Sequence, residues 1–168
     1  MPVSSDQRQA ASLNHTGVLF ALLPRPQAQL VGRRAIISIV DDDASVRNAI
    51  KRLVQSAGLN AEDFASAEEF LTSSRSQDSA CLILDLGLPG MSGMELQSQL
   101  LISNPRLPIV FISAHADEVT RARALCAGAT DFLPKPFSQE ALFAAIDTSL
   151  SCYRSGGFGR LAALSVSR

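Results

Sequence analysis

The sequence predicts a doubly wound α/β fold: a five-stranded, mostly parallel sheet covered on both faces by helices. Three observations carry this. Short apolar runs alternate five times with amphipathic stripes over short connections, which is the pattern of a parallel sheet with crossover helices. One run, Cys81 to Leu84, is apolar at every position, as a strand buried on both faces must be. The chain of 168 residues, 46% hydrophobic and 18% charged, has the length and composition of one ordinary globular core.

Taken in order, Ala35 to Val40 forms the first strand and runs directly into Asp41, Asp42 and Asp43. Val46, Ile50, Leu53 and Val54 then share one helical stripe, and Gly58 stands where that helix ends. Leu59 to Phe64 is a half-polar strand suited to the sheet margin. Ser66 and Glu69 have capping-box spacing and open a short helix through Phe70 and Leu71. Cys81 to Leu84 is the third strand, with Asp85 at its end, a loop of Gly87, Leu88, Pro89 and Gly90, and a helix opening near Ser92 lined by Met94, Leu96, Leu100 and Leu101. The fourth strand, Pro108 to Ser113, leads to a helix through Val119, Ala122 and Leu125, with Gly128 beyond it. The fifth, Asp131 to Leu133, runs into Pro134, Lys135 and Pro136. Ser138 caps a last helix whose stripe is Ala141, Leu142, Ala145, Ile146 and Leu150.

Charge narrows the function. The net charge of -1 conceals an asymmetry: residues 35–150 hold 8 basic and 15 acidic side chains, a net of -7. Such a domain does not present the basic face that nucleic acid demands, and its acids suit a cation. Cys81, Cys126 and Cys152 have no metal-ligand spacing and read as reduced thiols, and no apolar run reaches the roughly 18 residues of a membrane span. The run from Gly17 to Leu23 is too short and too poorly flanked for a signal peptide. Residues 1–33 read as a flexible extension, 34–150 as the folded domain and 151–168 as a flexible tail in a cytoplasmic protein.

In a parallel sheet all strand carboxyl ends lie on one edge, so Asp41, Asp42, Asp85, Ser113 and Lys135 share one crevice at the point where strand order reverses. Each of these residues alone reads as a turn former, helix cap or surface charge; their convergence favours a site. Clustered carboxylates repel one another unless a cation lies between them, and a hard divalent ion, Mg2+ first, fits oxygen ligands. A lysine and a hydroxyl beside such an ion suit a phosphoryl group.

Four stretches, IVDDD (39–43), LILDLGLPGMSGMEL (82–96), VFISAHAD (110–117) and GATDFLPKPF (128–137), resemble the signature blocks of the response-regulator receiver domain of two-component signalling, in the flavour of FixJ-type regulators. The resemblance implies a flavodoxin-like (βα)5 sheet of order 2-1-3-4-5 in three layers. It implies that Asp85 accepts phosphate from a histidine kinase or histidine phosphotransfer protein. Asp42, Asp41 through water, Asp85 and the Gly87 carbonyl would hold Mg2+. Ser113 would be the switch hydroxyl, Lys135 the amine that pairs with the phosphoryl group, and Phe132 the aromatic that rotates inward on activation. The Lys135–Pro136 bond would be cis, and output would pass through the 119–150 face to a protein partner or a second copy.

Two positions depart from the family pattern. Gly87 replaces a larger, commonly polar residue, and His115 occupies the second position that tunes acyl-phosphate hydrolysis. The 18 residues after Leu150 are too few for a helix-turn-helix domain, so the expected function is a stand-alone receiver that catalyses only its own phosphorylation and dephosphorylation and contacts no nucleic acid directly. The alternative is the receiver part of a FixJ-like DNA-binding regulator. A Mg2+-dependent phosphohydrolase is disfavoured, because Gly87 stands where its general acid would be.

Overall fold

A computed structural model describes residues 35–115 and 117–155. The elements run β1 (Ile36–Val40), α1 (Ala44–Ser56), β2 (Asn60–Phe64), α2 (Ala67–Thr72), a 3-10 turn over Ser74–Asp78, β3 (Ser79–Asp85), α3 (Gly93–Ser103), β4 (Ile109–Ser113), α4 (Glu118–Cys126), β5 (Asp131–Pro134) and α5 (Gln139–Ser155). The sheet order is β2-β1-β3-β4-β5 with every pairing parallel, as expected. The proposed extension over residues 1–33 and the tail beyond Ser155 lie outside the described residues. Helix α5 continues five residues past Leu150, where the sequence reading ended the domain.

Alternation along the strands divides the core in two. Cys81 and Ile83 of β3 face Ile50 and Val54 of α1 and Leu142, Ala145 and Ile146 of α5. Leu82 and Leu84 face Phe70 of α2, Leu96 and Leu100 of α3 and Ala124 of α4. All seven β3 residues are buried, so this strand is the spine of both cores. At its start the buried hydroxyls of Ser79 and Ser38 hydrogen-bond each other at 2.6 Å. Burial pushes the Cys81 thiol up to about 12, which makes it the inert apolar residue expected. Cys126, by contrast, is exposed.

Two helix faces differ from the sequence reading. Helix α3 buries Gly93, Leu96, Gln97 and Leu100, while Leu101 is exposed. Gln97 enters the core because its amide donates to the carbonyls of Ala124 (3.2 Å) and Ala127 (3.3 Å), tying α3 to α4. Helix α4 buries only Ala124; the expected stripe of Val119, Ala122 and Leu125 faces solvent. A small residue at the contact and a glutamine clamp hold this helix, so its larger apolar side chains remain outside.

The helix starts agree better. Asp43 caps α1 by accepting from Ser45 N–H, and Ser138 accepts from Ala141 N–H at the start of α5. At α2 only half of the box forms: Ser66 accepts from Glu69 N–H, but Glu69 reaches back to Ala65 N–H. The complete box is Ser92 with Glu95 on α3. Gly58 and Gly128 follow α1 and α4 with φ of 79° and 96°, the left-handed geometry that favours glycine after a helix.

Candidate functional site

The carboxyl ends of β1 and β3 lie side by side and carry Asp41 and Asp85, both buried. Between them reaches Lys135, which follows β5. Its ammonium donates to Asp41 Oδ2 and to Asp85 Oδ1, each at 2.7 Å. The remaining carboxylate oxygens are also held: Asp41 Oδ1 accepts from Asp43 N–H at 2.8 Å and Asp85 Oδ2 from Gly87 N–H at 2.7 Å. Lys135 is anchored by its own N–H, 2.7 Å from the Ser113 carbonyl, and the Lys135–Pro136 bond is cis.

Burial raises the Asp41 pKa above 3.8, against the hydrogen bonds from Lys135 and Asp43. Burial also opposes the charge on Lys135, but the hydrogen bonds and charges of Asp41 and Asp85 outweigh it and leave that pKa raised. The ammonium is therefore fully protonated near neutral pH.

Of the sequence-predicted residues, the fold thus brings Asp41, Asp85 and Lys135 into direct contact. Asp42 stands exposed beside them. Among the described residues no three His, Cys, Asp or Glu side chains gather as a metal-holding cluster, so the expected trio of carboxylates is a pair with a neighbour. Ser113 lies at the same edge, buried, but turned to its own loop: its hydroxyl donates to the His115 carbonyl at 3.0 Å and accepts from His115 N–H at 3.1 Å. The His115 side chain lies on an exposed residue.

Phe132, which the resemblance assigns as the aromatic that rotates inward on activation, lies inside in this structure, 2% exposed and 6.1 Å centroid to centroid from Phe111. A phenyl ring has no polar end to keep in water, so packing on Phe111 and the α3 and α4 side of the core holds it there.

Gly87 has ordinary backbone geometry, and a Cβ there would sit 3.4 Å from Asp85 Oδ2, an ordinary contact. The position admits side chains that would touch the carboxylate. Gly93 does not: its Cβ would meet the Asp85 carbonyl at 2.4 Å and Phe111 at 3.1 Å. This residue, which the sequence reading passed over, lets α3 close onto the end of β3. Glu68 of α2, also passed over, accepts from Met91 N–H at 3.0 Å and ties down the β3–α3 loop. Only the density of glycine around Met91 hinted at the first; 23 residues separate the partners of the second.

Do these residues fit a divalent cation? Two buried carboxylates face one ammonium, which leaves the pair with net negative charge. Every donor, including the Gly87 carbonyl and the nearby Asp42, is a hard oxygen. That set suits Mg2+.

A doubly wound parallel sheet with an acid pair and a lysine at its switch point defines a class of α/β proteins that work at the carboxyl edge. This chain belongs to the response regulator receiver domain family, which matches residues 37–147. It is 44% identical over 118 residues to response regulator protein TodT of Pseudomonas putida, covering 70% of this chain and 52% of TodT. Among solved structures, a low-resolution structure of response regulator StyR superposes with a TM-score of 0.68 at 44% identity, covering 76% of this chain and 64% of StyR. A CheY-like receiver domain protein from Methanospirillum hungatei gives 0.66 at 26% identity, covering 73% of this chain and 98% of that one. The chain spans about half the length of TodT. Among the described residues no helix is long and apolar enough to cross a membrane.

Proposed function

We propose that Asp85 accepts a phosphoryl group from the phosphohistidine of a histidine kinase or phosphotransfer protein, so that the chain serves as a phospho-switch in two-component signalling. The observation that carries this reading is the ammonium of Lys135 held 2.7 Å from both Asp41 and Asp85 at the sheet edge. In the transfer, one Asp85 oxygen attacks phosphorus in line as the P–N bond to histidine breaks, and the electron pair of that bond leaves with the imidazole. Such chemistry depends on positioning and on neutralising charge. Gly87 N–H and Lys135 orient the carboxylate, and Lys135 meets the charge on the phosphoryl oxygens. Asp41, Asp42, Asp85 and the Gly87 carbonyl would hold Mg2+, which would supply further neutralisation of those oxygens.

The aspartyl phosphate carries about -2 charge where the carboxylate carried about -1. The added acceptors favour recruitment of the Ser113 hydroxyl, and the adjoining α4–β5–α5 face, residues 119–150, is the output surface toward a protein partner or second copy. With this division residues 34–150 form the receiver. The half-length match to TodT, with 36% identity over 122 residues to the DNA-binding transcriptional regulator NtrC of Klebsiella pneumoniae, supports a second reading, that the receiver drives a DNA-binding output in a longer regulator; the reading frame downstream of Arg168 tests it. The primary test is incubation with acetyl phosphate or a promiscuous kinase, read by intact mass. A gain of one phosphoryl group that requires Mg2+ and is absent in Asp85→Ala is expected. No gain from either donor would sink the reading.

A further inference from the structure

The loop that carries the acids is held from behind by one side chain. Asp41, Asp42 and Asp43 are three successive like charges, and their backbone carbonyls precede or open α1, so two of them have no partner within the helix. All three carbonyls end on Arg47. Its backbone N–H donates to the Asp43 carbonyl at 3.0 Å, and Nη1 donates to the carbonyls of Asp41 at 2.7 Å and Asp42 at 3.0 Å. On the far side the guanidinium pairs in charge, without a hydrogen bond, with Asp63 on β2, whose Oδ2 lies 3.4 Å from Nε, and Lys51 holds Asp63 in turn at 2.5 Å. The Arg47 side chain is 15% exposed. Such a fork, planar and permanently charged, can collect two carbonyls that a lysine's ammonium would hold less rigidly.

Resting on the phosphoacceptor reading above, we propose that Arg47 is a positioning residue: it fixes the backbone of Asp41 and Asp42 so that their carboxylates are presented to Mg2+ without the loop having to order at the moment of binding. Arg47 touches neither carboxylate among the contacts at the site and acts through the main chain. Its positive charge opposes cation binding, but the Asp63 carboxylate 3.4 Å from Nε offsets much of that charge. Positioning is therefore the larger effect, and the sign of the outcome decides between them.

The experiment uses the full chain, with Arg47→Met, Arg47→Lys and Asp63→Asn beside the parent. Mg2+ affinity is read by amide chemical-shift titration and thermal stability by calorimetry. Arg47→Met is expected to weaken Mg2+ binding about tenfold, in the range for loss of a group that orients metal ligands. The Asp41–Asp43 amide resonances should shift or broaden before any Mg2+ is added. Arg47→Lys should recover part of the affinity, and Asp63→Asn, which leaves both carbonyl bonds in place, should lose less than Arg47→Met. Should Arg47→Met not fold, the order parent, Asp63→Asn, Arg47→Lys in Mg2+ affinity remains the test. Unchanged or tighter Mg2+ binding in the arginine variants, with only a lower melting temperature, would overturn the proposal. A parent that binds no Mg2+ and takes no phosphate would instead overturn the functional reading on which it rests.

Discussion

Helices α1 and α4 each begin with an aspartate cap just past the carboxyl end of a strand, yet they are held in very different ways. Asp43 caps α1 and Asp117 caps α4. Beyond the caps, α1 buries Ile50 and Val54, packs Val46 and Leu53 against the same core, and links through Arg47 and Lys51 to β2. Helix α4 buries Ala124 alone and leaves Val119 69% and Leu125 36% exposed. One side of the site is thus welded to the sheet and the other rests on it. Local opening costs least where few apolar contacts must break, so the side with room to move is the α4 side.

The strongest way to break this comparison is to delete equivalent apolar side chains. Ile50→Ala should cost about 3 kcal/mol in urea unfolding, as buried isoleucine truncations do. Leu125→Ala should stay within about 0.5 kcal/mol, the range of exposed substitutions; a comparable loss at both would mean that α4 is as firmly seated as α1. Gly93→Ala, which forces a methyl against the Asp85 carbonyl, should cost about 2 kcal/mol by overpacking and also shift the Asp85 resonances, because the strain falls on the end of β3.

Acidification sharpens the contrast within the welded side. The Lys51 hydrogen bond is the chief cause that lowers the Asp63 pKa, so Asp63 stabilises the fold above its ordinary value of 3.8, and that contribution is lost as pH falls through its lower folded value. Burial raises the Asp41 pKa, so the folded state prefers that acid neutral. Its contribution is present below 3.8 and is lost as pH rises through its higher folded value. Asp41→Asn should therefore gain stability near neutral pH and lose that advantage on acidification, while Asp63→Asn should be less stable than the parent near neutral pH and converge with it in acid. Calorimetry across that range distinguishes them.

The smallest expected effect on stability is at Gly87, where a Cβ makes only an ordinary 3.4 Å contact with Asp85 Oδ2. Gly87→Arg should change stability by about 0.5 kcal/mol or less. Its guanidinium would nonetheless alter the lifetime of an aspartyl phosphate, read by decay of the phosphorylated mass; Gly87→Arg with His115→Glu tests both tuning positions together. Decay at the parent rate would remove them from that role.

How much of this was readable in advance follows from what each residue's role depends on. The apolar runs of β1, β3 and β4 betray themselves because a strand sandwiched between helix layers can carry almost nothing polar. Asp41, Asp85 and Lys135 were visible because parallel topology alone brings strand ends together. The burial of Phe132 and the outward face of α4 were not visible, since both depend on what the opposite element offers: Phe111 to the one, a small Ala124 and the Gln97 amide to the other. Gly93 and Glu68 act through contacts with the backbone, which no side-chain pattern announces.

The small ring of bonds between the Ser113 hydroxyl and the His115 backbone works as a latch. Whatever draws that hydroxyl toward Asp85 must first give up one donated and one accepted bond, each worth about 1 kcal/mol. That corresponds to a resting bias of roughly thirtyfold against the drawn-in arrangement, before any repacking is counted. A sensor built on this edge would be quiet in the absence of signal, and Ser113→Ala, which cuts the latch and removes the hydroxyl at once, would free the loop while leaving it nothing to report with.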